Sequence, residues 1–308
     1  MEHYVTLFDQ SFIAMGLALH RSLRAHARPF RLWVICMDEE VERSLAQLGL
    51  EDVGLIPLRE IETARLLAVK NGRTRGEYCW TMTPFAPEVV LARAPDAARV
   101  TYLDTDLFFF DRPQILFDEF EASGKHVLIT DHAYAPEYDV AEQSGRFCVQ
   151  FMTFRRTAPS LEVLHSWQEQ CLDWCYARYE PDRFGDQKYL DAWPDKFPTA
   201  VHVLRQTSKT LAPWNASYFA ARGPLHPVLY HFQGFRLVAG RLAGSVGYRL
   251  SAPVRELYQR YTRELGRVVD ELESRGIAVA RVPRPPGLRQ VLRDLRDRLT
   301  GNAYWSRI

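Results

Sequence analysis

Val100-Thr-Tyr-Leu-Asp104-Thr-Asp106-Leu-Phe-Phe-Phe110-Asp111 is the stretch from which the fold is read. Residues 100–103 are β-branched, aromatic or aliphatic and too few for a helix, so they predict a buried strand. Asp104 and Asp106 follow one residue apart, and residues 107–110 return to apolar character. Two carboxylates between apolar runs are costly to desolvate unless their charge is offset. A hard divalent cation offsets it well, because Mg²⁺ and Mn²⁺ prefer oxygen ligands and commonly carry a phosphate too. The plainer alternative is a strand end whose acids meet water or cap a turn.

Working outward, residues 4–8 read as a strand ending at Asp9-Gln10-Ser11. A helical pattern follows over 12–25, then a strand over 31–37. Asp38 is placed to cap a helix over 39–48, and a third strand spans 53–58. This alternation predicts a largely parallel sheet with covering helices. Ligands of such sheets bind beyond the strands' carboxyl ends, so Asp9 and Asp104 are expected to share one crevice. Further on, helices are expected over 61–75, over 78–91 with interruptions at its prolines, and over 161–176. Strands are expected over 127–130, 147–154, 200–204 and 228–232. Residues 254–275 form a helix rich in Arg and Glu. A proline-rich break at 281–287 precedes a short amphipathic helix over 288–299. The division expected is a main domain over 1–250 and a helical extension over 251–308.

Composition narrows the class. The chain has 308 residues, with 47% hydrophobic and 25% charged, as in ordinary globular proteins. A net charge of +1 gives no global field toward nucleic acid. No apolar run is long enough to span a bilayer. The opening residues carry neither a basic leader nor a small-residue cleavage site, so a first strand is expected there rather than a signal peptide, and the location expected is cytoplasmic. The five cysteines, Cys36, Cys79, Cys148, Cys171 and Cys175, are scattered and read as reduced thiols. Cys171 and Cys175 are read as core residues one helical turn apart. Residues 281–308 hold seven arginines against two aspartates. That basic segment either lies on an anionic membrane or packs with its arginines solvated.

Four segments in order resemble the nucleotide-sugar glycosyltransferases of the GT-A fold, and among them glycosyltransferase family 8. They are Tyr4-Val-Thr-Leu-Phe-Asp-Gln-Ser11, Tyr102-Leu-Asp-Thr-Asp-Leu107, Gly185-Asp-Gln-Lys-Tyr-Leu190 and Tyr230-His-Phe-Gln-Gly234. The resemblance implies a Rossmann-like mixed α/β sheet with helices on both faces. It implies a nucleoside site at Phe8, Asp9 and Gln10, and a metal motif at Asp104, Thr105 and Asp106. An Asp186–Gln187 pair near the sugar and a late ligand at His231 complete the pattern. Two positions depart from it. Cys148 stands in the strand 147–150, with Gln150, where the family has an Asn in the sugar pocket. Phe235-Arg236 follows the late His in place of Lys-Pro-Trp, so Arg236 is the residue expected to meet the diphosphate.

The chemistry implied is sugar transfer from a nucleotide-diphosphate sugar, a UDP-sugar favoured, to a saccharide or lipid-linked acceptor, with retention of configuration. Asp104, Asp106 and His231 are the implied ligands. An imidazole among them favours Mn²⁺, with Mg²⁺ tolerated. Asp186 and Gln187 would hold sugar hydroxyls or stabilise the oxocarbenium-like centre. Asp186 reads equally as a helix cap after a turn at Gly185, and His231 alone as a core histidine. His132, Trp214 and Asn215 are weighed as substrate contacts against plain structural roles. Two rivals stand beside this reading: a haloacid-dehalogenase-like phosphohydrolase, which also places Asp-x-Asp after an apolar strand, and a non-catalytic nucleotide-binding protein of the same fold.

Overall fold

Alternation along the first strand sets the layering. In β1 (Glu2–Phe8), Tyr4 and Phe8 enter the core on one side of the sheet, and Val5 and Leu7 the core on the other. A computed structural model describes residues 1–239, 242–283, 296–297 and 300–308. After β1 come α1 (Ile13–His26), β2 (Phe30–Cys36), α2 (Glu39–Leu48) and β3 (Val53–Pro57). Three short helices, α3 (Ala64–Lys70), α4 (Arg75–Met82) and α5 (Ala86–Arg93), lead to β4 (Arg99–Leu103) and β5 (Leu107–Phe109). Next are α6 (Gln114–Ser123), β6 (Val127–Asp131), α7 (Ala141–Ser144), β7 (Phe147–Arg155), α8 (Ala158–Asp173), α9 (Trp193–Lys196) and β8 (Val201–Val203). The chain continues through β9 (Thr210–Leu211), α10 (Ala216–Ala220), β10 (Leu229–His231), β11 (Arg236–Val238), β12 (Leu242–Val246), α11 (Ala252–Ser274) and β13 (Ala303–Arg307).

Among the described residues the central sheet runs β3-β2-β1-β4-β7-β6-β8. The first four strands are parallel, and β7 lies antiparallel to both β4 and β6, so the sheet is mixed. Helices α3, α4, α5 and α8 bury their apolar faces on one side, around Met82, Val90 and Trp167. Helices α1, α2, α6 and α11 cover the other, around Leu17, Phe117 and Tyr261. Each fully buried side chain of this size contributes about 1.5–3 kcal/mol. The mixed α/β sheet with helices on both faces is therefore as the sequence implied, and α11 and β13 extend it C-terminally.

Local chemistry explains several boundaries. Asp38 accepts from Val41 N at 2.8 Å to start α2, and Gly49 ends it at φ +61, a conformation glycine adopts without cost. The helix expected over 61–75 is shorter and ends at Lys70, and the next helix begins three residues before the expected 78–91 span. Thr63 caps α3, and a capping box between Thr74 and Glu77 starts α4 afresh at Arg75. The helix expected over 161–176 lies earlier, as α8, and ends at Asp173. Cys175 thus sits beyond the helix, yet both it and Cys171 are buried in the core, as expected. The amphipathic helix expected over 288–299 falls outside the described residues, apart from Arg296 and Asp297. Among the described residues no helix is long and apolar enough to cross a membrane.

Candidate metal centre

The strand order reverses between β1 and β4, the place where open parallel sheets leave a crevice at their carboxyl ends. Thr105 fastens that crevice shut at its base. Its hydroxyl donates to Leu7 O and meets Thr6 Oγ1, both at 3.0 Å, which joins the β4–β5 turn to β1. Asp104 and Asp106 emerge on either side of Thr105. Asp104 is fixed by its backbone, whose N–H donates to Gln150 O at 3.0 Å. Its Oδ1 accepts from Tyr102 OH at 3.1 Å.

The third member comes from far along the chain. β10 pairs antiparallel with β5 so that His231 stands opposite Leu107, and Phe232 N donates to Asp106 O at 2.9 Å. This register delivers His231 Nε2 to 3.0 Å from Asp106 and 3.7 Å from Asp104. One ligand atom from each of the three lies within 4.8 Å of the others. Two carboxylates and an imidazole form a donor set suited to a divalent cation with borderline preference. Two buried polar groups beside them also lack protein partners among the described residues. They are both amide atoms of Gln150 and Nδ1 of His231. Groups left this way cost free energy unless a ligand or water meets them, which fits a site built for an occupant.

Electrostatics agree. Burial raises Asp104, with Asp106 adding to it and His231 opposing, to about 7. Burial also acts to raise Asp106, but His231 and Arg236 outweigh it and hold its carboxyl below the ordinary range. For His231 burial opposes the charge, while Asp106 overrides it and keeps the imidazole protonated well above its usual value. A cation must displace these protons. Its affinity is therefore expected to rise with pH between about 6 and 8, with proton release. Calorimetry of Mn²⁺ binding in buffers of different ionisation enthalpy measures that release, and a buffer-independent enthalpy would contradict it.

Around the centre the other expected residues fall into place unevenly. Asp186 is buried, and burial followed by the charge of Asp104 pushes its carboxyl well up. Thr83 reaches both Asp186 and Tyr102, so these groups form one buried network behind Asp104. Gly185, at φ +54, makes the turn before it. Asp186 is not a helix cap. Gln187 holds that position, makes no side-chain cap bond, and donates its amide to Ser144 O. Arg236 is exposed near Asp106 and its guanidinium lies 5.9 Å from the Phe12 ring centroid. Asp9 is already engaged: Ser11 N donates to it at 2.9 Å, and Arg75 pairs with its other oxygen at 3.1 Å. The Phe8 ring faces the core over Gly16. Gln10 is buried and donates to Ala278 O at 2.7 Å, tying the first strand to the C-terminal part of the chain. Cys148 lies beside His132 and His231. Burial acts to raise its thiol, but the two imidazoles prevail and bring it down to about 6.

Sequence reasoning missed Arg75 and Thr83. The capping box at Thr74 would have placed Arg75 at a helix start, facing the crevice end of β1. Thr83 carries no signal beyond its neighbour Pro84.

No family model matches the chain. It is 30% identical over 288 residues to the uncharacterized protein YfnD of Bacillus subtilis (strain 168), covering 88% of this chain and 91% of the relative. Among solved structures, the galactosyltransferase LgtC in complex with donor and acceptor sugar analogs superposes with a TM-score of 0.54. That match has 14% identity over 89% of this chain and 99% of the other. Mouse xyloside xylosyltransferase 1 gives 0.50 with 16% identity, over 75% and 97%. The architecture is thus the GT-A fold of the glycosyltransferases.

Proposed function

The chain belongs to the family of Bacillus subtilis YfnD, and from the geometry of its acid–histidine centre we propose that it is a metal-dependent glycosyltransferase. The observation that carries this reading is the convergence of Asp104, Asp106 and His231 at the strand-order reversal of a GT-A fold. The donor is a nucleotide-diphosphate sugar, a UDP-sugar by the likeness to family 8. The acceptor is a saccharide or lipid-linked glycan of the kind found in bacterial surface polysaccharides. Residues 1–250 hold the catalytic machinery.

Asp104, Asp106 and His231 hold the cation, Mn²⁺ in preference to Mg²⁺. When bound it supplies Lewis-acid neutralisation of the departing diphosphate. Arg236 adds a cation on the same side, beside Asp106. Asp9 and the backbone around Phe8 and Gln10 bind the nucleoside, with Arg75 holding the Asp9 carboxylate in place. Thr105 keeps the two metal-binding acids apart and fixed to β1. Asp186, whose carboxyl burial and Asp104 push well up, meets a sugar hydroxyl, and Gln187 lines the same pocket. Gln150 offers its unpaired amide to the sugar. Transfer proceeds on one face of the sugar, with the departing phosphate oxygen taking the acceptor's proton.

The test is release of UDP from a panel of UDP-sugars with Mn²⁺, run beside hydrolysis of p-nitrophenyl phosphate with Mg²⁺. Release of UDP from at least one donor, without phosphatase activity, is expected. Phosphatase activity alone would favour the phosphohydrolase reading.

A further inference from the structure

A row of aromatic side chains runs outward from His231. Trp214 stands edge-on to it, with ring centroids 5.6 Å apart and planes at 83°. Tyr134 lies 5.9 Å beyond Trp214. Tyr138 and Tyr248, 5.0 Å apart at 70°, pack on the same small apolar cluster around Cys148, Ala212 and Trp214. All three tyrosines are half-buried, so each keeps part of its ring open.

The row is held at a cost. Ala133 adopts φ +47, a left-handed conformation unfavourable for a non-glycine residue. Ala133 N donates to Asp131 Oδ1 at 2.7 Å. Trp214 Nε1 and Asn215 Nδ2 both donate to His132 O, at 2.7 and 2.8 Å. Tyr134 then stacks on His132 at 4.6 Å and 12°. The strained residue thus sits between two stacked rings, pinned by the same Trp214 that touches His231. Backbone strain persists where the surroundings over-determine it, and here they fix the direction of Tyr134.

We propose that Tyr134, Tyr138 and Tyr248 form the acceptor subsite, and that the acceptor is a saccharide whose C–H face packs on these rings. Phenol rings combine an apolar face with a hydrogen-bonding edge, which matches a sugar's alternation of C–H faces and hydroxyls. A lipid tail needs a drier and more continuous apolar surface than three half-exposed phenols. The assignment rests on the transferase reading, because the row starts at the ligand beside which the donor sugar is delivered.

The test is saturation-transfer NMR on the full chain with UDP and Mn²⁺, using the methyl glycosides of glucose, galactose, N-acetylglucosamine and rhamnose as probes. At least one glycoside is expected to bind, with the strongest transfer to protons of one C–H face. Tyr134→Ala and Tyr248→Ala should each weaken it by about tenfold or more, while Tyr134→Phe keeps the ring and stays within roughly threefold. UDP–Mn²⁺ affinity, measured by calorimetry, should be unchanged in all three. A wild type that binds UDP–Mn²⁺ but none of the glycosides would overturn the subsite. So would glycoside binding indifferent to both alanine variants, or alanine variants that lose UDP–Mn²⁺ as well. Glycoside binding that follows the expected variant pattern, in a protein with no UDP–Mn²⁺ affinity, would support the subsite and overturn the transferase reading instead.

Discussion

Asp106→Ala is expected to lower Mn²⁺-stimulated UDP-sugar turnover by about 10³-fold, equivalent to roughly 4 kcal/mol of transition-state stabilisation. The side chain does two jobs. On the proposed function it would supply one ligand oxygen, and without the cation it pairs with His231 Nε2 at 3.0 Å and holds the imidazole beside the site. Its removal therefore takes away one proposed ligand and the partner that places another. The fold should survive, because the contact joining β5 to β10 at this point uses the Asp106 backbone carbonyl, which alanine retains. Turnover assays with saturating Mn²⁺ and a thermal melt measure the two effects together. Near wild-type turnover in a well-folded variant would remove Asp106 from the site. Asp106→Asn is the sharper control, since it keeps shape and loses charge, and it should fall nearly as far.

The second large effect is on stability and reaches the site indirectly. Trp167→Ala should cost about 3–5 kcal/mol. The indole is completely buried in α8. It stacks on Phe154 at 6.4 Å and meets Trp193 edge-on at 5.5 Å. Its Nε1 also donates to Asp186 O at 2.7 Å, which is how the core fixes the segment that follows Gly185. Trp167→Phe keeps most of the packing and leaves that carbonyl without its donor, at a cost of about 1–3 kcal/mol. Guanidinium unfolding should place the phenylalanine variant between wild type and alanine. Donor turnover of Trp167→Phe should fall although the protein remains folded at assay temperature. If turnover is untouched, the position of Asp186 does not matter to the reaction.

The layering was legible because β1 and β2 are short, nearly continuous apolar runs of the kind a doubly covered parallel strand shows, and the intervening helices keep their own period. The cap at Asp38 and the break at Gly49 each act within a few residues, so the bounds of α2 could be read directly. The acids of the centre were legible for a similar reason: two charges between apolar runs stand out in any window. His231 was reached only through the resemblance, because what brings it to Asp106 is the register of β10 against β5, and register leaves no mark in composition. The early end of the 61–75 helix and the start of α4 at Arg75 were hidden because Thr74 and Glu77 look like ordinary polar residues until their reciprocal bonds are seen. The tyrosine row was hidden more deeply. Tyr134 and Tyr138 lie in the connection between β6 and α7, Tyr248 follows β12 far along the chain, and only the fold gathers the three around Trp214.

On the proposed function the centre is a cation site that holds a nucleotide diphosphate, and one titration tests that most directly. UDP is titrated calorimetrically into the full chain in EDTA, and again after dialysis into Mn²⁺. Binding in Mn²⁺ that weakens at least about tenfold in EDTA, and that Asp106→Ala reduces to the EDTA level, is the expected result. Equal UDP affinity in EDTA and Mn²⁺ would contradict it.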